Sequence, residues 1–457
     1  MKNEKLRQNI FSKRTFTKGC ISPWAIFVAC CILILPVLFT ACEYNNKPEM
    51  IYDPTVANDT TGRPTITGIL PATEAVAGVR EITIVGSNLG IKNGTDTSWV
   101  FIGGVRPMIK DIQNSSITIY RPQLSNDKYD KSIYVSVTDT KMKVESSNKA
   151  YMVETPGVIV GDYTGVSTLL AVDFDKNNPG ENLYTTAGKN LYKVDFAGVT
   201  QTIVLNPVNL LSSAYASITA MSFGPGAHGR NLFIAVGKNY IARLYVVDTL
   251  DKNNKPVTLT VPAVVSQLDF DENGNLYLGG VGNIYVADSS VGTSAAPVFT
   301  LMTGYTGGPN IKKIRVVKES GNQYLYVADS LGVWRSQIVG SSLVNCTQVV
   351  NLNGTALSAC VITSFELDEH SSIFLCLKNN PNYSLFIKEI DGSITPFYSD
   401  PNILPKTVEK LTWGNSKYLY LISSSLQSSP GTYAPGRIYR LTLDRNGAPY
   451  QGRTFIK

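Results

Sequence analysis

The chain has 457 residues, 43% of them apolar and 17% charged, with 41 Lys and Arg against 35 Asp and Glu for a formal charge of +6. Six of the basic residues and one acid lie in residues 1–41, so the rest carries 35 against 34, a net +1. That near-neutral remainder, rich in Tyr, Val, Leu and Ile, excludes a nucleic-acid-binding protein and a disordered one, and is long enough for two or three cores.

Residues 1–41 read as a secretory signal. A basic stretch (Lys2, Lys5, Arg7, Lys13, Arg14, Lys18) precedes the uncharged apolar run 21–41, which ends on the small Ala41. The competing reading is a single membrane span. Pro36 and a small residue ahead of a cysteine weigh against it. The run Phe39-Thr40-Ala41-Cys42 resembles a bacterial lipobox, with Phe39 in place of the usual Leu. The resemblance implies a lipid on Cys42 that anchors the chain to a membrane without spanning it. Residues 42–63 then form a polar, aperiodic, lipid-anchored tether.

Of seven cysteines only Cys346, Cys360 and Cys376 remain beyond Cys42, an odd number that builds no disulfide framework. They read as small apolar strand residues, with a Cys346–Cys360 bridge as the alternative in an oxidising compartment.

Residues 64–154 contain short alternating stretches, EITIVG, SWVFIGG, SSITIYRP and SIYVSVTD, separated by Gly, Asn and Asp clusters. Strands of this length and spacing predict a β-sandwich, with Trp99 buried on its strand. The segment resembles the IPT/TIG immunoglobulin-like family. The matching residues are Pro64 to Pro71, Ile82-Thr83-Ile84 with Gly86 to Gly90, Val100 to Gly104, Ser116 to Ile119 with Pro122, and Ser146 to Tyr151. In cell-surface proteins such domains are commonly spacers, and the resemblance implies that role here.

Residues 156–457 repeat themselves. ENLYTT, RNLFIA, GNLYLG, QYLYVA, SSIFLC and KYLYLI place Leu183, Leu232, Leu276, Leu325, Ile373 and Leu419 at spacings of 49, 44, 49, 48 and 46 residues. An apolar strand precedes each (LLAVDFD, ITAMSFG, VSQLDFD, IKKIRVV, ITSFELD, VEKLTWG) and a second hydrophobic pair follows. A fourth strand, such as TQTIVL, CTQVVNL or the terminal GRTFIK, closes each unit. Four strands per period, six times, predict a six-bladed β-propeller, so the fold class is all-β, a sandwich followed by a propeller. The phrases LYVAD and GNLY resemble NHL-type and lactonase-like propellers. That resemblance implies the fold and transfers no catalytic residue.

Reading each unit from inner to outer strand places the longer loops on one face, and with them Tyr215, Tyr305, Tyr383, Tyr398 and Tyr433. Tyr offers an apolar ring with a hydrogen-bonding tip, suited to stacking on a sugar or gripping a peptide; the alternative is that these rings pack the loops themselves. Trp334 and Trp413 align with core positions.

The catalytic inventory is thin. His228 and His370 both fall on turns of the plainer face, and no HExxH, CxxC or GxSxG occurs. Asp269-Phe-Asp271-Glu-Asn273-Gly274 begins like a calcium loop, but Gly280 stands where a bidentate Glu is needed. Its counterpart Asp173-Phe-Asp175 recurs at the same hairpin position, which favours a turn. No metal, cofactor or catalytic residue is therefore assigned, although paired carboxylates that meet only in three dimensions stay open.

Together these resemblances are those of Bacteroidetes surface lipoproteins that accompany SusC/SusD-type outer-membrane importers. They imply a non-enzymatic protein, held on the outer membrane and facing outward, that binds a polysaccharide or a peptide. The alternatives are a protein-interaction scaffold in an envelope complex and a propeller lyase, hydrolase or lactonase.

Overall fold

Period-two patterning explains the first domain directly. In Glu81–Ser87, Ile82 and Ile84 are fully buried while Thr83 and Val85 stand half out, as alternate side chains of a pleated strand must. The structure, a computed structural model, describes residues 64–90, 97–124, 129–138, 143–144, 149–154, 156–163, 169–174, 183–187, 190–194, 201–205, 218–225, 231–245, 256–329, 332–414, 417–423, 427–429, 432–433 and 436–448. The signal segment, Cys42 and the tether lie outside them. Among the described residues no helix is long and apolar enough to cross a membrane.

Two sheets form the sandwich. One orders its strands Thr65–Leu70, Glu81–Ser87, Ser116–Tyr120, Ile109–Gln113; the other runs Glu74–Ala75, Lys149–Val153, Tyr129–Thr138, Thr97–Ile102. Ile66, Ile69, Ile82, Ile84, Leu89, Val100, Ile102, Ile117, Ile119 and Tyr151 close over one another between them. Each such side chain contributes roughly 1.5–3 kcal/mol on burial. Trp99 is not among them, contrary to the sequence expectation. Ser98 and Val100 point inward, so Trp99 points out, 36% exposed, with the Arg106 guanidinium 4.0 Å from its ring centre.

Six four-stranded antiparallel blades follow. Blade 1 comprises Leu169–Phe174, Leu183–Ala187, Asn190–Val194 and Gln201–Leu205, and blade 2 begins with Ala220–Phe223, Asn231–Ala235 and Lys238–Tyr245. The long strand Val257–Phe270 serves two blades. Its first part pairs with Arg243 to Tyr240 as the outer strand of blade 2, and Val265–Phe270 pairs with Leu276–Gly280 as the inner strand of blade 3. Ile284–Ala287 and Thr300–Leu301 complete blade 3. Blade 4 is Lys313–Glu319, Asn322–Ala328, Gly332–Val339 and Ser342–Asn351; blade 5 is Val361–Leu367, Ile373–Lys378, Leu385–Lys388 and Ile394–Pro396. Each inner strand packs on the next, and that of blade 6 packs on that of blade 1, which closes the ring.

Blade 6 corrects one expectation. Its strands are Val408–Trp413, Tyr418–Ser423, Gly436–Thr442 and, in fourth place, Val158–Tyr163 from just after the sandwich. The terminal GRTFIK lies outside the described residues, and the place assigned to it is filled from the other end of the propeller. Pairing the first strand with the last blade ties the two ends of the ring together, and it also covers what would be an open sheet edge.

The repeated pairs supply the blade cores. Leu183, Leu232, Leu276, Leu325, Ile373 and Leu419 are buried, as are the aromatic residues that follow them. Continuous rather than alternating burial arises because each middle strand is covered by neighbouring blades on both faces. Trp413 is fully buried, edge-on to Phe374 at 5.2 Å between ring centres, whereas Trp334 is half-buried. Cys376 is buried, Cys346 and Cys360 are partly exposed, and all three are free thiols.

Candidate functional site

The five tyrosines do not form one surface. Tyr215 lies outside the described residues, as does the side chain of Tyr433, whose backbone belongs to a short hairpin of Gln427–Ser429 with Thr432–Tyr433. Tyr305 is half-buried and spends its hydroxyl on the protein itself, donating to Asp329 Oδ2, just after Asn322–Ala328, at 2.6 Å, with the Gly308 carbonyl of its own loop at 3.3 Å. Burial and the Asp329 carboxylate push its pKa up. Tyr398 is 4% exposed and donates its hydroxyl to the Ala77 carbonyl in the sandwich, so it faces a domain seam and not solvent. Of the three whose side chains are described, Tyr383 lines a concave surface of useful size.

That surface depends on the seam. Sandwich and propeller belong to one compact unit, Gly62–Lys457. Ala77 inserts among Tyr398, Leu443 and Ala448 of the propeller. Gly78 donates its N–H to the Thr442 carbonyl at 2.7 Å, and a Cβ at this position would lie 2.6 Å from Leu443 Cα, so the close approach requires glycine. Glu154 accepts from Ala77 N at 3.0 Å and from the Thr442 hydroxyl at 2.8 Å. Behind this turn the buried Arg121 guanidinium donates to the carbonyls of Ala75, Val76, Val79 and Glu154, fixing the loop that makes the contact. Apart from Tyr398, sequence reasoning passed over these residues.

Beside the seam, the exposed face of the first sandwich sheet and the outer edge of blade 5 enclose a cleft of about 480 Å³. Glu81, Lys110 and Tyr120 line one wall, and Tyr383, Ser393, Thr395 and Ser399 line the other, with Pro396 and Phe397 between them. Lys110 pairs with Glu81 at 2.7 Å, and Arg80 bridges to Glu389 across the two domains. Tyr383 is held edge-on to Phe386 and donates its hydroxyl to the Ser399 carbonyl at 2.8 Å. The cleft therefore presents two half-buried tyrosine rings, exposed hydroxyls and paired charges on a framework already ordered by the seam.

A second concave feature lies on the propeller axis. Aligning the inner strands brings Ala171, Ala220, Gln267, Lys313, Ser364 and Lys410 to the third position and Asp173, Ser222, Asp269, Arg315, Glu366 and Thr412 to the fifth. In four of the six strands the register shifts just before the third position, at Leu169/Ala171, Val265/Gln267, Ile362/Ser364 and Val408/Lys410. Such a bulge re-aims the side chains that follow. The polar residues at these otherwise apolar strand positions are the signal that an aligned reading of the repeats would have flagged.

Glu366, fully buried, accepts from Lys313 Nζ at 2.5 Å and from Arg315 NH2 at 2.5 Å and Nε at 3.1 Å. Lys313 also donates to the Leu411 carbonyl, and Arg315 NH1 lies 3.7 Å from Asp269 Oδ2. Desolvation, reinforced by Arg315 and Lys410 and opposed by Glu366, lowers the Lys313 pKa to about 7. Below about pH 7 the amine is protonated in both folded and unfolded chains. As pH rises from there towards the ordinary lysine value near 10.4, the unfolded chain holds the extra proton, so stability rises with pH. Urea midpoints measured between pH 6.5 and 9 are expected to show this slope, and Lys313→Met to flatten it.

The hairpin aspartates are consumed by their turns. Asp271 accepts from Asn273 N and Asn275 N, both at 2.9 Å, from Asn275 Nδ2 at 2.7 Å and from the Tyr277 hydroxyl at 3.3 Å. Asp368 does the same for His370 N at 2.9 Å and Ser372 N at 2.7 Å, while the His370 ring stands exposed. His228 lies outside the described residues.

A search of curated proteins finds no match to the sequence. Among solved structures, the chain is similar to an auxiliary nutrient binding protein from Bacteroides thetaiotaomicron, at 12% identity and a TM-score of 0.46 over 85% of this chain and 99% of that one. It is also similar to an auxiliary nutrient binding protein from Bacteroides ovatus (11%, TM-score 0.43, 83% and 98%) and to regucalcin, a calcium-binding protein from Agrobacterium tumefaciens (11%, 0.48, 66% and 98%). The family comparison agrees with the sandwich geometry: residues 64–151 match the IPT/TIG domain model.

Proposed function

We propose that this chain is a lipid-anchored envelope protein that binds a saccharide in the cleft between the sandwich and blade 5. The observation that carries the reading is the pairing of Tyr120 and Tyr383 across a 480 Å³ opening edged by Ser393, Thr395 and Ser399. Tyrosine faces cover the apolar side of a sugar ring, and side-chain and carbonyl groups at the edge meet its hydroxyls. Because the domains are already docked, little ordering cost is left for the ligand to offset. Binding rather than turnover is supported by the axial carboxylates. Glycoside hydrolysis needs one carboxyl group held as an acid, whereas Glu366 and Asp269 both face Arg315. The basic and apolar segment ending at Cys42 supports a lipid anchor on the outer membrane, from which a ligand could pass to a SusC/SusD-type importer.

The test is retention of the purified chain by immobilised polysaccharides. Tyr383→Ala and Tyr120→Ala are each expected to weaken binding by about tenfold, on the order of 1.4 kcal/mol for one stacked ring. Unchanged retention in both variants would refute the cleft as the site.

A further inference from the structure

The two walls of the cleft beside blade 5 are tied together at one corner. On the sandwich side, Arg80 immediately precedes Glu81, whose strand partner is Tyr120, and the Arg80 carbonyl accepts from Arg121 N at 2.8 Å. Its backbone is thus fixed to the residues that carry the Tyr120 ring. On the propeller side, Glu389 opens the turn between Leu385–Lys388 and Ile394–Pro396. Its N–H donates to the Ser393 carbonyl and its carbonyl accepts from Gly392 N, both at 3.0 Å. That turn leads directly into Ser393 and Thr395 of the cleft edge. The Arg80 guanidinium reaches across to Glu389 Oε1 and lies 5.8 Å from the centre of the buried Phe397 ring, while Glu389 Oε2 accepts from the Ser372 hydroxyl at 3.3 Å. The two side chains are 29% and 25% exposed. A fully exposed ion pair contributes little, because two free side chains must be ordered in water that screens them. Here both partners are ordered by further contacts and partly shielded from water, so the pair keeps more of its attraction.

We propose that Arg80 and Glu389 are positioning residues of the cleft, a strut that sets the spacing between the Tyr120 wall and the Ser393–Thr395 edge for a saccharide that touches both. The proposal rests on the reading of the cleft as a saccharide site. The seam contacts of Ala77 and Gly78 fall on Tyr398, Thr442, Leu443 and Ala448, outside this turn, so the domains stay docked when the strut is removed. What changes is the turn of blade 5, which then samples several spacings. The apparent affinity of a ligand that needs one spacing falls with the fraction of the protein that holds it.

The experiment is a charge-swap cycle on the full chain in detergent, read by affinity electrophoresis through gels containing amylopectin, xylan, galactomannan or pectin, with thermal melts alongside. In the polysaccharide that retards the wild type, Arg80→Gln and Glu389→Gln are each expected to weaken binding by about three- to tenfold, and Arg80→Glu, which sets two carboxylates against each other, by more than about tenfold. Arg80→Glu combined with Glu389→Arg is expected to return to within about threefold of the wild type. A direct contact of either side chain with the ligand is not restored by such a swap. The melting midpoints of both Gln variants are expected to stay within about 2 °C of the wild type, which separates a local strut from a general loss of stability. Should Arg80→Glu fail to fold, the two Gln variants and their double decide: a double no weaker than either single supports the strut, and losses that multiply overturn it. Full retention in both Gln variants, or a folded swap that stays as weak as Arg80→Glu, overturns the strut while a loss in Tyr383→Ala leaves the cleft standing. No retardation by any of the four polysaccharides, or none lost in Tyr383→Ala and Tyr120→Ala, overturns the cleft and the strut together.

Discussion

Glu366→Ala is expected to destabilise the folded chain by about 3–5 kcal/mol, the cost of leaving buried cations without their partner. Glu366 is fully buried and pairs with both Lys313 and Arg315, each nearly buried itself. Removing it strands Lys313 and Arg315 in the centre of the ring, and the other described carboxylate there, Asp269, is already committed to the Val316 N–H at 2.9 Å. Replacing the charges together, as Lys313→Met with Arg315→Met, Glu366→Leu and Asp269→Asn, is expected to recover most of the loss, because attraction within such a network only about offsets its desolvation. Urea denaturation of the single and quadruple variants checks both statements. A Glu366→Ala midpoint equal to the wild type would mean that solvent reaches this network.

The second large effect concerns the strand that closes the ring. A chain beginning at residue 156 keeps Val158–Tyr163, whereas one beginning at residue 164 lacks it and leaves Gly436–Thr442 as a bare edge. The five paired positions of that ladder correspond to about 3–5 kcal/mol of net hydrogen bonding. Their loss also unlinks the first and last blades. The shorter chain is expected to lose its single cooperative thermal transition and to associate through the exposed edge. The longer one is expected to keep the transition, lowered by the missing seam at Tyr398 and Leu443. Circular dichroism melts with light scattering separate the two. Identical melts would show that the closing strand adds nothing to the ring.

The parts of this architecture that could be read beforehand are those written in local periodicity. Ile82 and Ile84 announce a half-buried strand because the pleat alternates every residue. The Leu-Tyr pairs from Leu183 to Leu419 announce blades because each unit must bury the same middle strand. Asp271 could be assigned to a turn because an Asx cap needs only the next few residues. The cleft was only partly legible: Tyr383 stood out as a loop tyrosine, but its companions Tyr120, Lys110 and Glu81 sit on an ordinary-looking sandwich strand pattern. Tyr398 carried the same loop signal and turned out to be a seam residue, since nothing local distinguishes a ring that meets solvent from one that meets Ala77. Trp99 was misjudged because hydrophobicity outweighed strand parity, which places it opposite Ser98 and Val100.

The amino-acid sequence alone determined that the chain is all-β, that a sandwich precedes a six-fold repeat, and which side chains fill the blades, since each depends on spacings of two residues or of one repeat. Only the tertiary structure decided which strand closes the ring, that the sandwich docks on blades 5 and 6 to form a cleft, and that Lys313, Arg315, Lys410, Asp269 and Glu366 converge on one axis. Those outcomes depend on pairings between residues up to several hundred positions apart. A lysine in an inner strand has no meaning until the ring shows what faces it.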